Sequence, residues 1–183
     1  MNHSAGDTRR LEAAAIQPLP WSNIVPMPSE LSRTAPVITG LAAAPIVPTF
    51  GDTEMRVLVP GSAVGGAYGV WMHLSPPGSS PPRHIHHRED EIFHVLEGKL
   101  LIWCDGNTYE AGPGDTAALP RGVAHTFRVI SDTPARTLMT VVPGGFERFF
   151  AAVSGLVIPQ DMGRLVEISD GYGIEYVGPP LAG

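Results

Sequence analysis

The chain has 183 residues, 43% hydrophobic and only 16% charged, which suits a folded domain with a core and extra arms and excludes a wholly disordered chain. With 12 basic against 18 acidic residues the net charge is −6 and no basic run appears, so there is no electrostatic footprint for nucleic acid. Cys104 is the single cysteine, which excludes an intrachain disulfide or a thiolate cluster, and no apolar run reaches the ~18 residues of a membrane span.

Residues 1–10 are polar, and 11–17 read as one or two helical turns. Glu12 and Pro18 break any signal-like apolar core after Arg9 and Arg10, so a cytoplasmic protein is expected. Prolines 18, 20, 26, 28, 36, 45 and 48 exclude one regular helix or a central strand. Residues 1–50 therefore read as a proline-rich arm lying on the domain or on a partner subunit, with the option of adding an edge strand; a disordered tail is the alternative. The apolar stretch 41–50 favours docking, because exposing it is costly.

From residue 51 the texture changes to short alternating segments between Gly and Pro turns. Strands are expected over 55–59, 67–74, 91–97, 99–105, 108–112, 115–120, 123–130 and 136–142, the pattern of an all-β sandwich or barrel. Cys104 reads as a small buried hydrophobe on one of them. After residue 144 the period changes. Apolar residues 146, 149, 150 and 153 make one helical face, and 160–169 reads as a second helix weakened by Gly163.

Four of the chain's seven histidines (His84, His86, His87 and His94) fall within eleven residues. Pro81 and Pro82 favour an extended lead-in, and an extended segment points His84 and His86 to one face. Glu91 opens the next strand and can face both rings. Two neutral imidazoles and a carboxylate suit a divalent transition metal: Fe, Mn, Ni, Co or Zn. Downstream, His125 follows a Pro120–Gly122 turn on an alternating strand and offers a fourth ligand. His87 is opposite in phase to His86 and reads as surface. His94 is opposite in phase to Glu91 and reads as packed outside the pocket. Arg88, Glu89 and Asp90 look like a solvated turn, with Glu89 or Asp90 as alternatives to Glu91 in the ligand role. Arg121 is expected to be exposed.

Residues at period 2 from these ligands should line a pocket: Phe93 and Val95 from Glu91, Phe127 and Val129 from His125. On the 67–74 strand either Tyr68, Val70 and Met72 or Trp71 and His73 face inward; the first set is taken as the expected lining. Met139 is a further candidate.

Gly78, His84, His86, Glu91 and Gly98, followed by Gly114, Pro120, Gly122 and His125, resemble the two spaced motifs of the cupin family. Val129 stands where the second motif has Asn. The aromatic helix after residue 145 and the Tyr-Gly-Ile-Glu-Tyr segment are similar to the tail of single-domain, quercetinase-like cupins. The resemblance covers 51–144 firmly, the 145–183 cap and tail more weakly, and the arm not at all. It implies a jelly-roll β-barrel or sandwich with an extended N-terminal arm and one or two C-terminal helices. It also implies His84, His86, Glu91 and His125 as ligands of one divalent metal, and Glu91 as the group that takes a proton from a bound hydroxyl or enol.

The function this implies is a metal-dependent dioxygenase of an apolar enol or phenol, flavonol-like or polyketide-like, using O₂. The alternatives are a non-oxidative isomerase, cyclase or decarboxylase on the same metal, and a small-molecule-binding cupin without turnover. Jelly-roll edges need covering, so a homodimer is expected.

Overall fold

The computed structural model describes residues 8–10, 36–49 and 53–183. The helical turn expected over 11–17 and most of the proline-rich arm lie outside these. Two six-stranded sheets pack face to face. The first runs β1 (Thr8–Arg10), β8 (Asn107–Ala111), β7 (Leu100–Cys104), β10 (His125–Val129), β5 (Arg83–His86) and β12 (Ile174–Gly178). The second runs β2 (Ile46–Pro48), β3 (Glu54–Val59), β4 (Gly69–Ser75), β11 (Ala135–Val142), β6 (Asp90–Glu97) and β9 (Thr116–Leu119). Apart from the parallel β1–β8 pair, neighbours are antiparallel, as in a jelly roll. Two helices, α1 (Glu147–Val153) and α2 (Met162–Tyr172), come between β11 and β12. The second helix is displaced toward the C-terminus from its expected span. Gly163 falls in its first turn, where it costs little, and Gly173 ends it in the left-handed conformation at φ 77°.

The expected strands form because their side chains alternate. On β11, Ala135, Thr137, Met139 and Val141 are buried while their neighbours are less so. On β6 the buried set is Glu91, Phe93 and Val95. The register sets Met139 beside both Phe93 and Trp71, and Val141 beside both Glu91 and Gly69. These rows make the inner wall of the second sheet. Asp105 and Gly106 join β7 to β8 with φ of 48° and 82°, the positive-φ pair of a two-residue hairpin matched to strand twist.

Helix α1 has seven residues, too short to persist alone. Its aromatic face holds it: Phe146 and Phe149 stack with ring centres 5.3 Å apart, and Trp71 meets Phe146 at 6.2 Å and Phe150 at 6.1 Å. Burying each ring contributes about 2–3 kcal/mol. The buried Glu147 carboxylate accepts hydrogen bonds from the Gly61 amide at 2.8 Å and the Gly145 amide at 3.0 Å, fixing the start of the helix to the sandwich. None of the described helices is long and apolar enough to cross a membrane.

Gly98 ends β6 at φ 76°, and a Cβ there would come within 2.7 Å of the Ala135 Cα. Both strain and collision oppose any side chain. Gly98→Ala is therefore expected to lower unfolding stability by about 2 kcal/mol, read from the midpoint of a urea titration.

Candidate metal centre

The two motif segments meet because β5 pairs with β10 antiparallel, His84 directly opposite His125. On its other side β5 pairs with β12, Tyr176 opposite His84 and Ile174 opposite His86. The short histidine strand is thus held along both edges. Glu91 arrives from the other sheet, on the inner face of β6. The nearest donor atoms of His84, His86, Glu91 and His125 all lie within 4.8 Å of one another. His125 Nε2 is 3.2 Å and His86 Nε2 3.6 Å from the Glu91 carboxylate. His86, Glu91 and His125 are buried and His84 partly so.

The outer nitrogen of each ring is already committed. His84 Nδ1 is 2.7 Å from the Pro82 carbonyl, and His125 Nδ1 is 2.9 Å from the Val123 carbonyl. His86 Nδ1 is 3.4 Å from the buried Glu89 carboxylate. A carbonyl only accepts, so it places the proton on Nδ1 and leaves the Nε2 lone pair for the centre. Three such lone pairs and one carboxylate are a ligand set for a divalent transition ion. Ligands across one ion stand about 4.2 Å apart, so the four donors close onto a cation with small side-chain movements. Four protein ligands leave positions open on a five- or six-coordinate ion and none on tetrahedral zinc.

The electrostatics are those of a buried cluster awaiting positive charge. Burial, aided by the neighbouring rings His86 and His125, pushes His84 down to about 4. Burial also opposes charging His86, but the Glu91 and Glu89 carboxylates outweigh it and raise its pKa. Burial alone would raise Glu91; the three histidines overturn this and hold it at about 2.

Glu89 was expected in a solvated turn. It is buried, because the turn folds back under His86, and the spacing of three residues between them was the available signal. Asp90 and Arg121 form a two-pronged pair, with contacts of 3.1 and 2.9 Å, that ties the two motif segments together at the surface. The Arg121 partners hold the Asp90 carboxyl down at about 2. His87 faces outward and meets Glu175 at 2.9 Å, while His94 hydrogen-bonds Thr116 at 2.7 Å, both away from the centre.

A cavity of about 750 Å³ opens from the cluster. Phe93, Phe127 and Met139 line it, as does the α1–α2 cap through Phe146, Phe149 and Leu165. Val95 and Val129 are packed in the core instead, each 1% exposed. Tyr68, Val70 and Met72 are not in the lining and need correcting: Trp71 and His73 face the cavity. The outer face of β4 is not bare, since Met72 and Leu74 border a groove shared with Leu41, Arg56 and Arg136. With both faces partly apolar, hydrophobicity does not reveal the phase of this strand. Phe146 packs edge-on against His86 at 4.6 Å, a contact with no motif signal.

Residues 70–141 match the sequence model of the cupin domain. The quercetin 2,3-dioxygenase of Bacillus subtilis (strain 168) is 31% identical over 100 residues, 55% of this chain and 29% of that protein. The quercetin 2,3-dioxygenase of Aspergillus japonicus is 34% identical over 109 residues, 54% of this chain and 30% of that protein. The chain thus matches less than a third of the length of either enzyme. Among solved structures, KdgF from Halomonas sp. superposes with a TM-score of 0.55 at 14% identity, covering 61% of this chain and 98% of that one. An RmlC-like cupin from Shewanella frigidimarina superposes with a TM-score of 0.52 at 18% identity, covering 60% of this chain and 93% of that one. These two superpositions speak to the fold.

Two outcomes follow. Glu89→Ala should weaken affinity for cobalt(II) by roughly tenfold to a hundredfold in chelator competition, because His86 loses the acceptor that orients it. Unchanged affinity would remove that role from Glu89. Affinity should also rise with pH. His86 holds its proton above the ordinary 6.5, so below that pH an entering cation must displace it, whereas His84 is neutral down to about 4 and Glu91 is ionised down to about 2. Calorimetry in buffers of different ionisation enthalpy should find about one proton released per ion near pH 6.5.

Proposed function

From the premise that its β domain belongs to the cupin superfamily, with similarity to quercetin dioxygenases, we propose that this chain is a metal-dependent dioxygenase of an apolar enol or phenol, flavonol-like or polyketide-like. The observation that carries the reading is a three-histidine, one-carboxylate cluster at the wall of a cavity of about 750 Å³ lined chiefly by aromatic and aliphatic groups. That volume and lining suit a small multi-ring molecule.

His84, His86, Glu91 and His125 would hold the ion, which supplies Lewis acidity to a bound hydroxyl and an open position for O₂. Phe93, Phe127 and Met139 present flat apolar surface to the rest of the substrate and keep bulk water from the reacting end. The Glu91 carboxylate is ionised at neutral pH, so it can accept the hydroxyl proton. Its low pKa makes it a weak base, and the transfer is favourable only from a hydroxyl made acidic. The His86 and His125 rings beside Glu91 share the charge and fix the direction from which the proton arrives.

A non-oxidative reading on the same ligand set stands beside this one, and a polyketide as its substrate is supported by similarity to the tetracenomycin polyketide synthase protein TcmJ of Streptomyces glaucescens. That similarity is 25% identity over 117 residues, 62% of this chain and 78% of that protein. The same centre would then act on a polyketide as a cyclase or isomerase without O₂.

Metal-loaded protein given a panel of flavonols and hydroxylated polyketides should consume O₂, measured with an oxygen electrode. Glu91→Gln should slow uptake by about 100-fold at equal metal content. Full activity in that variant removes the base, and conversion under nitrogen selects the non-oxidative reaction.

A further inference from the structure

Each of His84, His86, His87, His94 and His125 has a hydrogen-bond partner within the chain. His73 has none among the described residues. It lies on the inner face of β4, lines the cavity and keeps accessible surface there. An imidazole placed against aromatic groups without a partner leaves polar capacity for something that enters from outside.

Its position relative to the metal cluster follows from the register. Gly69, Val141 and Glu91 form one inward row across the second sheet. Trp71, Met139 and Phe93 form the next, and His73, Thr137 and Val95 the third. Two rows are four residues, about 13 Å along the strands. Between the cluster and His73 the lining is aromatic and aliphatic, Phe93, Phe127, Met139 and Trp71, the last with its indole N–H buried and unpartnered among the described residues. Phe127 meets the His73 ring edge-on at 6.3 Å and steadies its orientation. The hydroxyls of Thr53 and Ser79, which also border the cavity, lie 3.4 Å from each other and so satisfy one another.

We propose that His73 is the second anchor of the substrate site, selecting multi-ring ligands that carry a further hydroxyl or carbonyl oxygen at the end remote from the metal-bound one. Burial holds the ring neutral, with its pKa down at about 4 although the Glu91 charge works the other way. A neutral imidazole offers one donor and one acceptor and can serve either kind of oxygen. A ligand without that oxygen leaves the ring desolvated and unpaired, so His73 discriminates by penalty as well as by attraction.

This inference rests on the proposed metal centre and substrate class, but its test needs no turnover. Binding of 3-hydroxyflavone and of 3,4′-dihydroxyflavone to cobalt-loaded protein is measured under nitrogen by fluorescence titration. The two probes differ only in the remote hydroxyl. The native protein should prefer the dihydroxy compound by about fivefold to tenfold, the worth of one hydrogen bond. His73→Phe should abolish the preference at unchanged cobalt content, and His73→Gln should restore part of it. No preference in the native protein, or a preference that survives in His73→Phe, overturns the second anchor and leaves the oxygenase reading standing. Failure of both probes to bind overturns the anchor together with the substrate class, whereas absent O₂ uptake with a retained binding preference overturns only the oxygenase chemistry.

Discussion

The structure depends on one strand pairing, that of β5 with β10. His84 lies opposite His125, forty-one positions later in the chain, and in that ladder the two motif segments become one wall. Glu91 then closes the cluster from the facing sheet. A ligand set contributed by both layers of a sandwich is defined only when the layers pack at one separation and register. Everything that holds the two sheets together, from Trp71 and Met139 to the row at Val141, therefore also sets the donor geometry. The β12 strand performs the same service from the side. Without it β5 would be a four-residue edge strand carrying two buried or half-buried rings.

The polar centre survives inside an apolar shell because each buried group has a partner. Pro82, Val123 and Glu89 take up the outer ring nitrogens, and Glu91 sits among the inner ones. The aromatic cap does the complementary work. Phe146 covers His86, and Phe149 and Phe150 cover Phe146, so water is excluded from one side of the cluster by a helix that exists only because it packs there. Low local dielectric strengthens the attraction between a cation and Glu91 and also penalises protonating His84. Both effects favour metal over protons.

Much of this was legible in the residues. Strand periodicity makes the spacing of His84 and His86 readable, because alternate positions share a face. Turn residues such as Gly98 and Gly122 mark where each strand ends. Three features were less legible, for separate physical reasons. The phase of β4 was open because both of its faces carry large apolar residues, and the turn at Leu41 with Arg56 and Arg136 gives the outer face partners of its own. The burial of Glu89 was hard to read because acids in a turn are usually solvated, and its spacing of three from His86 is a weak signal unless the turn is known to fold back. The Asp90–Arg121 pair joins residues thirty-one positions apart, which no local pattern reports.

The β4 strand is also where selectivity would arise. With Tyr68, Val70 and Met72 inward, its wall would have carried no imidazole. With Trp71 and His73 inward, the same space has polar groups at two levels separated by aromatic surface. Hydrophobic contact scales with area and is indifferent to orientation, whereas an unpaired imidazole on the cavity wall is not. On the proposed reading the metal cluster would set which end of a ligand reacts, and His73, two rows from Glu91 on the second sheet, would set which ligands can present that end. Recognition and chemistry would then rest on different residues and could vary independently.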